Sequence, residues 1–134
     1  MIIAYPASAS EIQYDVPDSV TSISDWTFSE CKTLTRISIP DSVREIGEGA
    51  FSNCKKIDKM FIPDSVEKID DCAFRGCDCL EKIAIPASVK DLGWGLFDGH
   101  SDNLIVYCEA DSEIERYCIR NRVKCAPITE YENA

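Results

Sequence analysis

The sequence predicts a repeat solenoid, a stack of short coils of about 23 residues each. Three observations carry this. The stretches TLTRISIPDSVREIGEGAF (33–51), KIDKMFIPDSVEKIDDCAF (56–74) and CLEKIAIPASVKDLGWGLF (79–97) are versions of one unit. Pro17, Pro40, Pro63 and Pro86 stand 23 residues apart each time. The positions in step with them are nearly all apolar, and a coil this short cannot bury its own core, so each must stack on its neighbours. A period near 23 with single apolar residues at fixed offsets lies in the leucine-rich-repeat range. The fold class is therefore a β-rich leucine-rich-repeat solenoid, here closed by a C-terminal α-helical cap.

Residues 1–16 read as an incomplete first coil, because Tyr14 and Val16 fall 23 residues before Ile37 and Ile39. YDVP is then the first strand of the regular stack, and IIAYP offers a further short strand upstream. Residues 17–108 carry the repeats, each reading L-x-x-I-x-I-P-D-S-V-x-x-I-x-x-x-A-F-x-x-C. Leu34, Ile37 and Ile39, with Ile57, Met60, Ile62 and Leu80, Ile83, Ile85, alternate as a strand with one buried face. The P-D-S element (40–42, 63–65) ends that strand: proline lacks the ladder amide, and aspartate and serine are expected to bond their own backbone. After this corner Val43, Ile46 and Phe51, with Val66, Ile69, Phe74 and Val89, Leu92, Phe97, turn inward from the opposite side. Phe28, Phe51, Phe74 and Phe97 should stack as an aromatic spine, each burying about 150–250 Å².

The last coil departs from the pattern. His100 takes the cysteine position, proline is absent, and NLIVYCEADS puts Val106 and Cys108 in phase with Ile83 and Ile85. The exposed final rung of a solenoid needs a polar lid. Residues 109–128 supply it: Ser112 and Glu115 make a capping-box pair, and Ile114, Tyr117 and Cys118 form an apolar stripe to lie on the final rung. Arg120, Arg122 and Lys124 suit the helix end. VKCAPI (123–128) reads as a short extended return and residues 129–134 as a frayed tail.

The 134 residues, 45% hydrophobic, fit one domain with a real core. A net charge of −10 argues against nucleic acid or an anionic membrane as partner. No apolar run is long enough to span a bilayer. The opening MIIAYPASAS lacks the basic region of a secretory signal and reads as the interior of a longer protein, trimmed or processed.

Eight cysteines suggest a disulfide scaffold until their spacing is considered. Cys31, Cys54 and Cys77 form one row, stacked at about 4.7–4.9 Å, beyond the Cβ separation of a disulfide, and an odd row cannot pair completely. A ladder of buried free thiols is expected. Cys72, Cys77 and Cys79 give C-x4-C-x-C, which is not a recurrent zinc spacing, so no metal or other cofactor is assigned. Cys118 and Cys125, with Cys108, lie close in the cap and offer the one plausible disulfide.

The motif quoted above resembles the BspA-like (Treponema pallidum-type) class of leucine-rich repeats over residues 12–108, and YCEADSEIERYCIRNRVKCAPI resembles that family's terminal cap. The resemblance implies a curved, right-handed solenoid, with strands on the concave side and short irregular or strand-like segments on the convex side. It also implies a surface-exposed or secreted protein of a host-associated microbe, associated with adhesion to host proteins or other microbes, and no catalytic residues.

On the concave face one outward row reads Gln13, Arg36, Lys59, Lys82, Ile105 and the next Asp15, Ser38, Phe61, Ala84, Tyr107. Three stacked cations repel by about 0.9 kcal/mol per neighbouring pair in water, which points to a use for them. Arg36, Lys59, Lys82, Phe61 and Tyr107 are the candidate contacts for an acidic protein or a glycan. The competing reading is a solvated ion-pair lattice with Asp58 and Glu81. Trp26 and Trp94 lie in or beside the variable convex row, as packing or contact residues. Asp18, Asp41 and Asp64 either start turns or hold calcium loosely. His100, the lone histidine, has no second base or nucleophile to work with, so no catalytic group is expected. The sequence supports a non-enzymatic binding or adhesion module at the cell surface or outside the cell. The alternative is a structural spacer that self-associates through its uncapped N-terminal rung.

Overall fold

A computed structural model of the chain describes residues 2–3 and 12–133. In chain order the strands are β1 (Ile2–Ile3), β2 (Gln13–Asp15), β3 (Ser22–Ile23), β4 (Arg36–Ser38), β5 (Glu45–Ile46), β6 (Lys59–Phe61), β7 (Lys68–Ile69), β8 (Lys82–Ala84), β9 (Asp91–Leu92), β10 (Ile105–Cys108) and β11 (Cys125–Pro127). Among the described residues one α-helix, α1, spans Glu113–Asn121, and a 3-10 helix follows at Ile128–Asn133. Every strand pairing is parallel, and in the regular coils partners differ by one period: Tyr14 faces Ile37, Met60 faces Ile83, Ile46 faces Ile69. The chain is thus a parallel β-solenoid in which the sequence period is the rung.

Each coil contributes two short strands. The second of each coil joins a continuous sheet, β1-β3-β5-β7-β9. The short strand expected in IIAYP is β1, and it enters this second sheet; Ala4, Tyr5 and Pro6 lie outside the described residues. The first strands divide into two ladders, β2-β4 and β6-β8-β10-β11; among the described residues no ladder pairing joins β4 to β6.

The phenylalanines form the expected column. Ring centroids of Phe28 and Phe51 are 5.1 Å apart, of Phe51 and Phe74 5.7 Å, of Phe74 and Phe97 5.6 Å, and successive planes lie within 10° of parallel. Tyr14 tilts onto Phe28 at one end, and Tyr117 of α1 meets Phe97 edge-on at the other. Such ring pairs add about 0.5–1.5 kcal/mol each beyond the area they bury. The thiol row is also present, buried and unpaired. Its sulfurs bond across coils: Cys54 Sγ donates to the Phe28 carbonyl and Cys77 Sγ to that of Phe51, both at 3.0 Å. His100 keeps the backbone turn of this row, its amide donating to the Phe97 carbonyl as the Cys77 amide does to that of Phe74.

The serines of the P-D-S corner do not act as expected. Ser42, Ser65 and Ser88 donate to the carbonyls of Val20, Val43 and Val66 in the preceding coil, at 2.6–2.8 Å. Parallel stacking brings those carbonyls within reach, while the local turn is closed by the backbone, with the Val43 amide donating to the Pro40 carbonyl. A second inter-coil bond comes from aspartate: Asp25 Oδ1 accepts from the Glu48 amide and Asp71 Oδ1 from the Trp94 amide. Gly93 permits the second of these approaches, because a Cβ there would fall 2.3 Å from the Asp71 nitrogen.

The cap follows the sequence closely. The Glu115 amide donates to Ser112 Oγ, and Glu115 Oε1 reaches back to the Asp111 amide, one residue before the amide of the usual capping box. Ile114, Tyr117 and Cys118 are buried against the last rung, and the Tyr117 hydroxyl accepts from the Leu96 amide. The expected frayed tail is instead the 3-10 helix, with Tyr131 only 8% exposed. It has a seat to fill, which lies on the strand face.

Candidate functional site

The strand face carries both predicted rows in register. Gln13 pairs with Arg36, Lys59 with Lys82, and Lys82 with Ile105, while Asp15 pairs with Ser38, Phe61 with Ala84 and Ala84 with Tyr107. Alternation along each three-residue strand turns these side chains away from the core.

The face is divided by the tail. Ala84, the smallest residue of its row, leaves a gap between Phe61 and Tyr107, and the Tyr131 ring occupies it. Ring centroids lie 5.8 Å from Phe61 and 5.6 Å from Tyr107, the latter edge-on. Lys82 Nζ donates to the Tyr131 carbonyl at 2.9 Å and sits 4.6 Å from the ring centre, a cation-π contact. Burial first, and then the carboxylates of Glu132 and Asp58, push the Tyr131 phenol above its ordinary value, so it stays neutral. Tyr107 is consequently buried, at 5% exposure. Of the five candidate contact residues, Lys82, Tyr107 and, in part, Phe61 are engaged by the chain's own tail.

Arg36, Lys59 and Phe61 remain together on the other side of Tyr131. With Gln13, Asp15 and Ser38 they line a cavity of about 270 Å³ that spans the break between β4 and β6. Arg36 is exposed, Lys59 half-buried, and Phe61 49% exposed. Ion pairs among the described residues join Arg44 to Glu67, Lys55 to Asp78 and Arg116 to Glu113. Arg36 and Lys59 form none of these within 4.0 Å, so the competing ion-pair lattice with Asp58 and Glu81 does not engage them. A cavity this size is smaller than that of a drug-sized ligand and suits one or two side chains or a single sugar.

The other candidates stay apart from this face. Trp26 adopts a left-handed backbone, φ 61°, and its indole covers Gly49, where a Cβ would fall 2.0 Å from the ring. This is the packing role. Trp94 is 66% exposed. Among the described residues, neither Asp18, Asp41 and Asp64 nor Cys72, Cys77 and Cys79 bring three ligand atoms within reach of one ion. The Nδ1 of His100 lies 2.7 Å from the Ser101 carbonyl. The seat of Tyr131 was the feature sequence reasoning missed. Its signal was present in the alanine between Phe61 and Tyr107, with Ile128 and Tyr131 three residues apart.

The sequence profile described as BspA type leucine rich repeat region matches residues 5–126 in six copies. The chain belongs to the BspA-type leucine-rich-repeat family. A crystal structure of a leucine-rich repeat protein from Eubacterium ventriosum matches this BspA-type chain with a TM-score of 0.75 at 30% identity, over 80% of this chain and 29% of that one. A leucine-rich repeat protein from Bacteroides capillosus matches with a TM-score of 0.70 at 32% identity, over 80% of this chain and 84% of that one. A leucine rich cell surface protein from Faecalibacterium prausnitzii matches with a TM-score of 0.66 at 24% identity, over 87% and 37%, a likeness of fold alone. The chain thus spans less than a third of the Eubacterium structure. No curated protein matches it. Among the described residues no helix is long and apolar enough to cross a membrane.

Proposed function

We propose that this BspA-type repeat is a non-enzymatic binding module of a cell-surface or secreted protein, taking an acidic segment of a protein or glycan on its strand face at Arg36, Lys59 and Phe61. The observation that carries this reading is the cavity between β4 and β6, where two cations that form no ion pair among the described residues flank a half-exposed aromatic ring. On a chain of net charge −10 such a patch is a local inversion of sign, which favours an anionic group. An exposed ring beside arginine is the composition that concentrates binding energy. The fold likeness to a protein described as cell surface supports the placement.

The test is an array of acidic peptides and glycans probed with the full chain and with the triple variant R36A/K59A/F61A. Binders are expected to weaken at least about 30-fold in the variant, and to weaken with added salt. Equal binding by both proteins would sink this reading. If that equality is accompanied by dimerisation that rises with concentration, association through the N-terminal rung takes its place.

A further inference from the structure

At the other end of the molecule, α1 and β11 close over the last rung and bring three ligand-bearing side chains together. Cys108 Sγ, Cys125 Sγ and a carboxylate oxygen of Glu115 all lie within 4.8 Å of one another. Cys108 is buried, Glu115 half-buried and Cys125 exposed, so the group has an inner wall and an open mouth. We propose that Cys108, Cys125 and Glu115 form a binding site for a thiophilic divalent cation of the zinc type. This site lies at the cap and does not depend on the reading of the strand face.

The geometry separates a metal from a disulfide. Cys125 pairs with Val106 and Cys108 with Pro127, so the two cysteines are diagonal neighbours, two residues out of step on adjacent strands. With strands about 4.8 Å apart and a rise of about 3.3 Å per residue, their Cα atoms stand about 8 Å apart. That exceeds the roughly 7 Å limit beyond which a disulfide needs backbone movement. A metal bridges the larger span. A point equidistant from three atoms 4.8 Å apart lies about 2.8 Å from each, and 4.8 Å is the upper bound here, against about 2.3 Å for zinc to sulfur and about 2.0–2.2 Å for zinc to a carboxylate oxygen. At that bound, side-chain shifts of about 0.5–0.8 Å complete the approach.

The surroundings fit. Glu115 is held in place by the cap, its Oε1 accepting from the Asp111 amide at 2.9 Å, which is how an outer shell orients a ligand. Cys118, one turn further along α1 and fully buried, closes the inner wall. Among the described residues no cation is ion-paired to Glu115. On binding, Cys108 and Cys125 each lose a proton to solvent and their sulfurs each share an electron pair with the metal. Glu115 binds as the carboxylate, and water takes the fourth position. No oxidant or reductant enters.

The experiment is cobalt(II) titration of the full chain, reduced and stripped of metal, followed by absorption and by thermal unfolding with zinc. The expected result is a sulfur-to-cobalt charge-transfer band at one equivalent, displaced by zinc, together with a zinc-dependent rise in melting temperature. Cys125→Ser, which alters an exposed residue and leaves the fold intact by circular dichroism, should weaken cobalt binding by more than the about 10–100-fold cost of losing an outer-shell partner. Cys79→Ser, an exposed thiol elsewhere, should change nothing. Absence of the band in the reduced wild-type chain overturns the proposal, even if a Cys108–Cys125 disulfide then forms in air. So does a band that survives Cys125→Ser.

Discussion

Cysteine does two physically different things in this chain, and the difference lies in what surrounds each sulfur. In the row Cys31, Cys54 and Cys77 the side chains act as compact core atoms, with Cys54 and Cys77 each tied to a carbonyl of an earlier coil. The thiol of Cys54 is driven far above its ordinary value, first by its bond with Cys77 and then by burial. Cys108 and Cys118, at the cap, are held near 12 against an ordinary 9.0, mainly by burial. A raised thiol value favours the neutral form in the fold, so between these limits the folded chain retains protons that the unfolded chain releases. The stability that these two thiols contribute to the reduced, metal-free protein is therefore fully present below pH 9.0 and is lost as pH rises toward 12. Urea midpoints at about pH 8 and about pH 10 check this, and Cys118→Ala should flatten the slope between them. A midpoint that climbs with pH would contradict it. The thiol row was readable because it repeats. The grouping of Cys108 with Cys125 and Glu115 was not, since those residues come from a strand, a return strand and a helix that share no period.

Among the elements, the terminal 3-10 helix changes the molecule most relative to what its six residues promise. Tyr131 rests on Ala84 between Phe61 and Tyr107, side chains contributed by three different coils. Tyr131→Ala should cost about 2–4 kcal/mol, the range for removing a large buried ring, reduced because the site is at the edge. Chemical denaturation measures that loss, and hydrogen exchange should show β8 and β10 losing protection while β3 and β5 keep theirs. Equal protection in all four would mean the tail is not seated. The elements of the regular coils were legible because a strand row needs only the offsets of Ile37, Met60 and Ile83. The tail was not, because one isolated tyrosine carries no periodic signal and its partners are 24 to 70 residues away in sequence. The serine corner was misjudged for a related reason: a hydroxyl beside a turn has both a local and a stacked acceptor, and only the stack decides between them.

For the whole molecule, the phenylalanine column, the cysteine row and the serine bonds all connect each coil only to the ones beside it, so stability accumulates along one axis. The strand face, the cap and the proposed cation site are positions along that axis. Ser42, Ser65 and Ser88 reach Val20, Val43 and Val66, in each case 22 residues back, and this constant reach works as a gauge on chain length. Such a polymer can grow or shrink only in quanta. Excising residues 43–65, one full turn, joins Ser42 to Val66 and leaves every remaining hydroxyl opposite a carbonyl, so a shorter folded rod is expected by circular dichroism. Removing one residue more dephases everything downstream, and a molecule that still melted cooperatively after that cut would show the gauge to be slack. Duplication and loss of whole turns thus change how far the strand face extends without disturbing how any turn is made.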